Sequence, residues 1–351
     1  MNEPPGPQGF VMPAEWTPHR ATWIAWPHQK RDWPGKFEPI PWVTVEIVRH
    51  LSRGEPVAVL VPGRTVRAAA ARMLRRAGVN LRRVEFHAVP TDRAWTRDSG
   101  PTIVRRADGE RRAVLWRFNG WAKYANHRRD ARVGRAIARI AGIPAFRATA
   151  RGVPVVMEGG AIDTDGEGTL LTTEECLLSR RVQCRNPGLG RHDLERIFAE
   201  ALGVRKVLWL GRGIAGDDTH GHVDDLARFV GPARVVLCRE DNPKDPNYRP
   251  LEENRERLQG ARDASGRRIE VIPLPMPAPL LFEGMRLPAS YANFYIANGR
   301  VLVPTFNDPR DRAALGLLAE LFPDREVVGI HCVDFVWGLG TLHCATQQEP
   351  R

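Results

Sequence analysis

The sequence predicts an α/β fold built from five repeating units around an axis, and two observations predict it. The first is punctuation. Five amphipathic segments end at Gly78, Gly142, Gly203, Gly266 and Pro323, and each leads into a short β-rich run. These breaks stand 64, 61, 63 and 57 residues apart. The second is the placement of reactive side chains, because Asp98, Glu158, His222 and Cys344 each follow a break by 16 to 21 residues. A doubly wound sheet also alternates helix and strand. Equivalent points of a closed repeat, however, converge on one axis, where a site assembled from distant sequence belongs.

In chain order, ARMLRRAG turns at Gly78 into VNLRRVEFHAV, RAIARIAG at Gly142 into IPAFRATA, and RIFAEALG at Gly203 into VRKVLWL. LQGARDASG turns at Gly266 into RRIEVIPLP, and LLAELFPD at Pro323 into REVVGIHCV. The last helix also has a start signal, since Asp308 can cap it and Pro309 suits its first turn. Side-chain identity between the units is negligible, so the repeat is one of punctuation. The chain is expected to form a single catalytic domain over residues 1–351. Residues 1–12, rich in Pro and Gly, are expected to be a flexible N-terminal extension.

Composition narrows the function. A chain of 351 residues, 42% hydrophobic and 26% charged, buries a full core and is not disordered. No run of eighteen apolar residues is present, which excludes a spanning helix. The first residues lack the basic-then-apolar pattern of a secretory signal, and a cytoplasmic location is expected. The net charge of +11 invites a nucleic-acid reading. Yet only five residues are lysines, and the arginines are spread along the chain rather than gathered in one tract. Neither a nucleic acid nor a membrane is expected as a partner.

The cysteines are Cys176, Cys184, Cys238, Cys332 and Cys344. With no C-x-x-C pair and an odd count, a disulfide framework is not expected. His220 and His222 stand at ligand spacing, but no third ligand is evident, so neither a metal nor a cofactor is expected.

Four motifs carry chemistry. In WTRDSGP, Asp98 is placed at a strand end before a Ser-Gly-Pro turn, either capping that turn or facing a ligand. In MEGGAID, Glu158 follows an apolar run and precedes two glycines, as a buried acid or a proton-transfer group. In GDDTHGHVDDLARF, His222 and Asp224 alternate on an expected strand and share a face. Two further acids precede them, and such a cluster costs stability unless a cation joins it. In GLGTLHCATQQ, Cys344 lies in a polar Gly-rich loop, as core filler or as nucleophile. No G-x-S-x-G elbow and no G-x-G-x-x-G loop is present. One thiol, one His and three carboxylates suit a planar cation, above all a guanidinium, which carboxylates grip in a bidentate manner. The thiolate adds to the guanidinium carbon, His222 protonates departing ammonia, and water hydrolyses the thiouronium.

The ordered motifs MPAEWTPHRATWIAWPH, WTRDSGPT, FNGWAKY, EGGAID, GTLLTTEECLLS, RNPGL, GDDTHGHVDDLARF, SYANFYIANG and LHCATQQ run nearly end to end. In them the chain resembles the agmatine deiminase family, which includes bacterial peptidylarginine deiminases, within the guanidino-modifying superfamily. The resemblance implies a five-bladed pseudo-symmetric α/β propeller and hydrolysis of agmatine to N-carbamoylputrescine and ammonia, a step of polyamine biosynthesis. It implies Cys344 as nucleophile, His222 as general acid/base, and Glu158 assisting it while binding a guanidinium nitrogen. Asp98 and Asp224 clamp the other nitrogens, with Trp95 beside the substrate. Asp218 faces the distal amine, and Asp217 is its alternative.

Three positions depart from the agmatine-specific pattern: GLGTLHC where three glycines and an Asn are usual, His220 in place of Asn, and Arg93 in place of an acid. The partner expected is therefore a small cationic guanidino substrate, and the exposed helices of a propeller leave room for a homodimer. Another deiminase, acting on a different free guanidino compound or on peptidyl-arginine, and an amidinotransferase sharing the thiouronium are the alternative activities.

Overall fold

The computed structural model describes residues 3–351. The chain divides into two compact units, one holding the chain up to Thr17 with Asp98–Pro273, the other Pro18–Arg97 with Leu274–Arg351.

In the first unit the strand Thr102–Arg105 pairs antiparallel with Arg111–Leu115, which pairs parallel with Ala145–Arg147 after the helix Val133–Ile140. The next sheet repeats that order: Asp163–Thr164 is antiparallel to Thr169–Thr173, which is parallel to Lys206–Leu210 after the helix Arg191–Leu202. The third sheet runs Ala227–Gly231, Arg234–Arg239, then Glu270–Pro275 after the helix Tyr248–Leu258. A parallel pair needs a crossover, and a helix on the sheet supplies it.

The second unit contains the same pattern twice. Tyr295–Ala297 is antiparallel to Arg300–Thr305, which is parallel to Glu326–His331 after the helix Arg310–Leu321. In the other sheet Thr346–Pro350 is antiparallel to His19–Ala25, which is parallel to Val57–Val61, and that strand is parallel to Val84–Ala88. Every side chain of Val57–Val61 is buried, the pattern of a strand covered on both faces.

The punctuation is mostly as expected. The helix Arg191–Leu202 starts where Asp193 accepts from the Gly190 N–H at 3.1 Å and ends at Gly203, whose φ is 68°. Its buried face, Leu194, Ile197, Phe198, Ala201 and Leu202, follows helical spacing. Asp308 accepts from the Arg310 N–H at 2.8 Å, as its capping position predicts.

One break differs. Gly266 does not end a helix: Tyr248–Leu258 ends earlier, and Gly266 turns the chain between the bridged residues Arg262 and Arg268.

The expected flexible extension at 1–12 is corrected over its described part. Gly6–Gln8 is a short 3-10 turn, Val11 bridges to Arg105, and Phe10 is fully buried in the core cluster that also holds Phe198 and Leu202. A Cβ on Gly203 would lie 2.3 Å from the Phe10 carbonyl oxygen, so the glycine that ends the helix also admits this segment. An aromatic ring buried at that depth anchors what Pro and Gly content alone reads as a tail. Among the described residues no helix is long and apolar enough to cross a membrane.

Candidate functional site

Asp98, Glu158, His222 and Cys344 occupy the same place in their sheets, two to five residues before the first, antiparallel strand. Asp98 precedes Thr102–Arg105, Glu158 precedes Asp163–Thr164, His222 precedes Ala227–Gly231, and Cys344 precedes Thr346–Pro350. The sheet that begins at Tyr295–Ala297 has Asn293 there, a residue the motif reading passed over.

In the first unit, Asp98, Glu158, His222 and Asp224 come together in the interior, and none is more than 4% exposed. Two local expectations are corrected. Asp98 lies on the helical turn Thr96–Ser99 rather than at a strand end, and His222 precedes the 3-10 turn Val223–Asp225 rather than alternating with Asp224 on a strand. The tight turn still aims both at one point. His222 Nδ1 lies 3.8 Å from Asp98 Oδ1 and 3.9 Å from Asp224 Oδ1, while Nε2 lies 3.4 Å from Glu158 Oε2. The centre of the cluster is Gly160. A Cβ there would stand 2.6 Å from His222 Nδ1 and 3.0 Å from carboxylate oxygens of both Asp98 and Asp224. His222 Nδ1 is buried and has no hydrogen-bond partner among the described residues.

The charges are held by residues the motif reading missed. Arg185, itself buried, donates from Nε to Glu158 Oε2 at 3.0 Å and from Nη2 to the Thr219 carbonyl at 2.6 Å. Burial opposes ionisation of Glu158, but the Arg185 guanidinium and His222 outweigh it and hold the carboxyl below its usual range. Burial also opposes charge on His222, yet Asp98, Cys176 and Glu158 prevail and raise its pKa well above 6.5.

Asp98 accepts from the Gly160 N–H at 3.1 Å and from the Trp121 indole at 3.0 Å. Its burial, with Asp224 and Glu158 nearby, raises its pKa to about 6 despite His222. Asp225, buried with Asp224 and Asp217 close by, is pushed well above the usual carboxylate range. Trp121 in FNGWAKY and Arg185 in RNPGL lie within motifs, but nothing in their spacing told that one holds Asp98 and the other Glu158.

The two candidates for the distal amine separate clearly. Asp217 is spent on the backbone: its carboxylate accepts from the N–H groups of Thr219, Gly221 and His222 at 2.7, 2.6 and 3.1 Å, shaping the loop that presents His222. Asp218 points elsewhere and is paired with Lys123 and with the Tyr124 hydroxyl, the latter at 2.6 Å. His220, with φ of 65°, sits 3.8 Å from Glu175 and takes no part in the cluster.

Within the first unit, the side chains that could together hold a metal are Glu158, Cys176 and His222, whose ligand atoms all lie within 4.8 Å of one another. The guanidinium of Arg185 already occupies Glu158, so a divalent cation would face a fixed positive charge, and these residues do not fit one.

In the second unit Cys344 stands on the short helix Leu342–Ala345, not in an open loop, and is 4% exposed. Asn293 donates from Nδ2 to Cys344 Sγ at 3.2 Å, while its Oδ1 accepts from the His343 N–H at 3.0 Å and the Thr341 hydroxyl at 2.7 Å. One amide thus fixes both the turn and the thiol. Gly340 keeps the approach narrow, because a Cβ there would lie 3.1 Å from Cys344 Cβ and 3.1 Å from the Trp95 ring. Trp95 packs against Trp33 and Phe335, with ring centroids 5.5 and 5.8 Å away.

Comparison with known proteins agrees over the whole chain. It is 38% identical to the agmatine deiminase of Ectopseudomonas mendocina, over 99% of this chain and 97% of that one. It is likewise 38% identical to the agmatine deiminase of Stutzerimonas stutzeri, over 100% and 98%. The structure of the Enterococcus faecalis agmatine deiminase superposes with a TM-score of 0.91 at 33% identity, covering 99% of this chain and 98% of that one. The profile of the Porphyromonas-type peptidyl-arginine deiminases matches residues 11–350, and the chain belongs to that family.

Proposed function

We propose that the protein is a cytoplasmic hydrolase that deiminates small free guanidino compounds, agmatine first among them, giving the ureido product and ammonia. The observation that carries this reading is the buried set of Asp98, Glu158, Asp224 and His222 around Gly160, where acids outnumber cations and a guanidinium restores the balance. The likeness to agmatine deiminases of two genera supports the choice of substrate.

In this reading the five sheets are the blades of a propeller, and the residues preceding their first strands meet at its axis. Asp98 and Asp224 grip the guanidinium nitrogens, and Glu158 takes another. Cys344 Sγ bonds to the guanidinium carbon as its proton passes to solvent water, and the carbon–nitrogen π bond opens to a tetrahedral adduct. His222, whose pKa is held well above 6.5, gives its proton to the departing nitrogen, and the carbon–nitrogen bond breaks to release ammonia. Water activated by His222 then attacks the thiouronium carbon, the carbon–sulfur bond breaks, and the thiol is restored. Asn293 and Arg185 act through others, one orienting the sulfur and the other keeping Glu158 ionised.

The test is ureido and ammonia detection on protein dialysed against a strong chelator, with agmatine and no added amine. Equal amounts of both products are expected. A rate lost to the chelator and restored by zinc, or a requirement for an added amine, contradicts the proposal.

A further inference from the structure

We infer that Lys123 determines selectivity at the far end of the substrate by competing with a distal ammonium for Asp218. The inference rests on the deiminase reading and deepens it. The turn that carries Lys123 also serves the guanidinium end. Trp121 donates its indole N–H to Asp98, and two residues on Lys123 is paired with Asp218, with Tyr124 donating its hydroxyl to the same carboxylate. The turn is held in shape at both ends: Asn119 Oδ1 accepts from the Ala122 N–H at 2.8 Å, and the Gly120 carbonyl accepts from the N–H groups of Lys123 and Tyr124. Trp121 and Ala122 adopt φ of 57° and 52°, a conformation that costs energy in residues other than glycine and is held by these bonds. Gln183 adds a further link, donating to the carbonyls of both Trp121 and Asp218. One rigid turn therefore joins the acid that grips the guanidinium to the acid at the other end.

Of the two acids that the family resemblance places toward a distal amine, Asp218 is the one left for a ligand, since Asp217 is committed to backbone donors. Its side chain is 18% exposed and its lysine partner 43%, so the pair is open to an incoming ligand yet already neutral. A distal ammonium must displace Lys123 to reach Asp218, whereas an uncharged end meets no such competition. A far end bearing both signs, as in a free α-amino acid, finds a partner for each. The rim therefore admits guanidino compounds with an uncharged or zwitterionic distal end beside agmatine, whose advantage over them it narrows.

The experiment compares kcat/KM for agmatine and butylguanidine in the wild type, Lys123→Met and Lys123→Arg. The agmatine-to-butylguanidine ratio should rise at least ~5-fold in Lys123→Met, the scale of one partly exposed ion pair, and the gain should lie in KM. Lys123→Arg should keep the wild-type ratio, and adding Asp218→Asn to Lys123→Met should cancel the gain. An unchanged ratio, or a gain that survives Asp218→Asn, overturns the inference. Agmatine binding to Cys344→Ala, with and without Lys123→Met, reads the same competition without turnover. Failure of every guanidine to react refutes the deiminase reading, while equal agmatine affinities in this binding pair refute the role of Lys123.

Discussion

Asp98 makes substrate binding and stability depend on pH in opposite directions. Its pKa, raised by burial and by Asp224 and Glu158 to about 6, lies above the 3.8 of an aspartate in the unfolded chain. The folded state therefore holds this proton more tightly. The stability the group contributes is full below pH 3.8 and is lost as pH rises through about 6, amounting to about 3 kcal/mol. Guanidinium binding needs the carboxylate, so below about pH 6 each binding event must expel a proton, and KM rises about tenfold per pH unit.

The perturbation is Asp98→Asn, which keeps the shape and removes the charge. Thermal or denaturant unfolding should show the variant gaining on the wild type at pH 8, by up to about 3 kcal/mol, with the gap narrowing toward pH 5. The same variant should lose turnover at every pH, while wild-type KM for agmatine climbs between pH 7 and pH 5. A stability gap independent of pH, or a flat KM across that range, would refute the reasoning.

Three further outcomes follow from the packing. Gly160→Ala places a methyl 2.6 Å from His222 Nδ1, and steady-state assays should show kcat/KM down by about a hundredfold or more, with circular dichroism unchanged. Arg185→Met leaves Glu158 buried without its counter-charge and should lower stability by about 3–5 kcal/mol in denaturant titration. Phe10→Ala should cost about 3–5 kcal/mol, measured the same way, whereas a flexible tail would show no effect.

Helix ends, strand runs and their spacing were readable because Gly, Pro and apolar periodicity act locally. The same punctuation placed Asp98, Glu158, His222 and Cys344 at equivalent points, and each stands just before a first strand. The fifth such point, Asn293, went unread because an amide in SYANFYIANG carries no chemistry until its donor is seen against the Cys344 sulfur. Arg185 and Trp121 escaped for the same reason: their partners, Glu158 and Asp98, lie 27 and 23 residues away in sequence. The His222–Asp224 pairing was found through the wrong element, since a 3-10 turn and a strand can bring residues two apart to one cluster. Phe10 was lost among prolines and glycines, whose turn chemistry hides a fully buried aromatic side chain.

The central claim is that Cys344 forms a covalent bond to the substrate carbon, and intact-protein mass spectrometry after acid quench tests it most directly. Wild-type protein caught during turnover of agmatine should gain the mass of the substrate less one ammonia, mapped to the peptide bearing Cys344, and should lose it once substrate is exhausted. Cys344→Ala should stay folded, show no adduct and make no ureido product. A Cys344→Ala variant that retains a tenth or more of the wild-type rate would contradict the account.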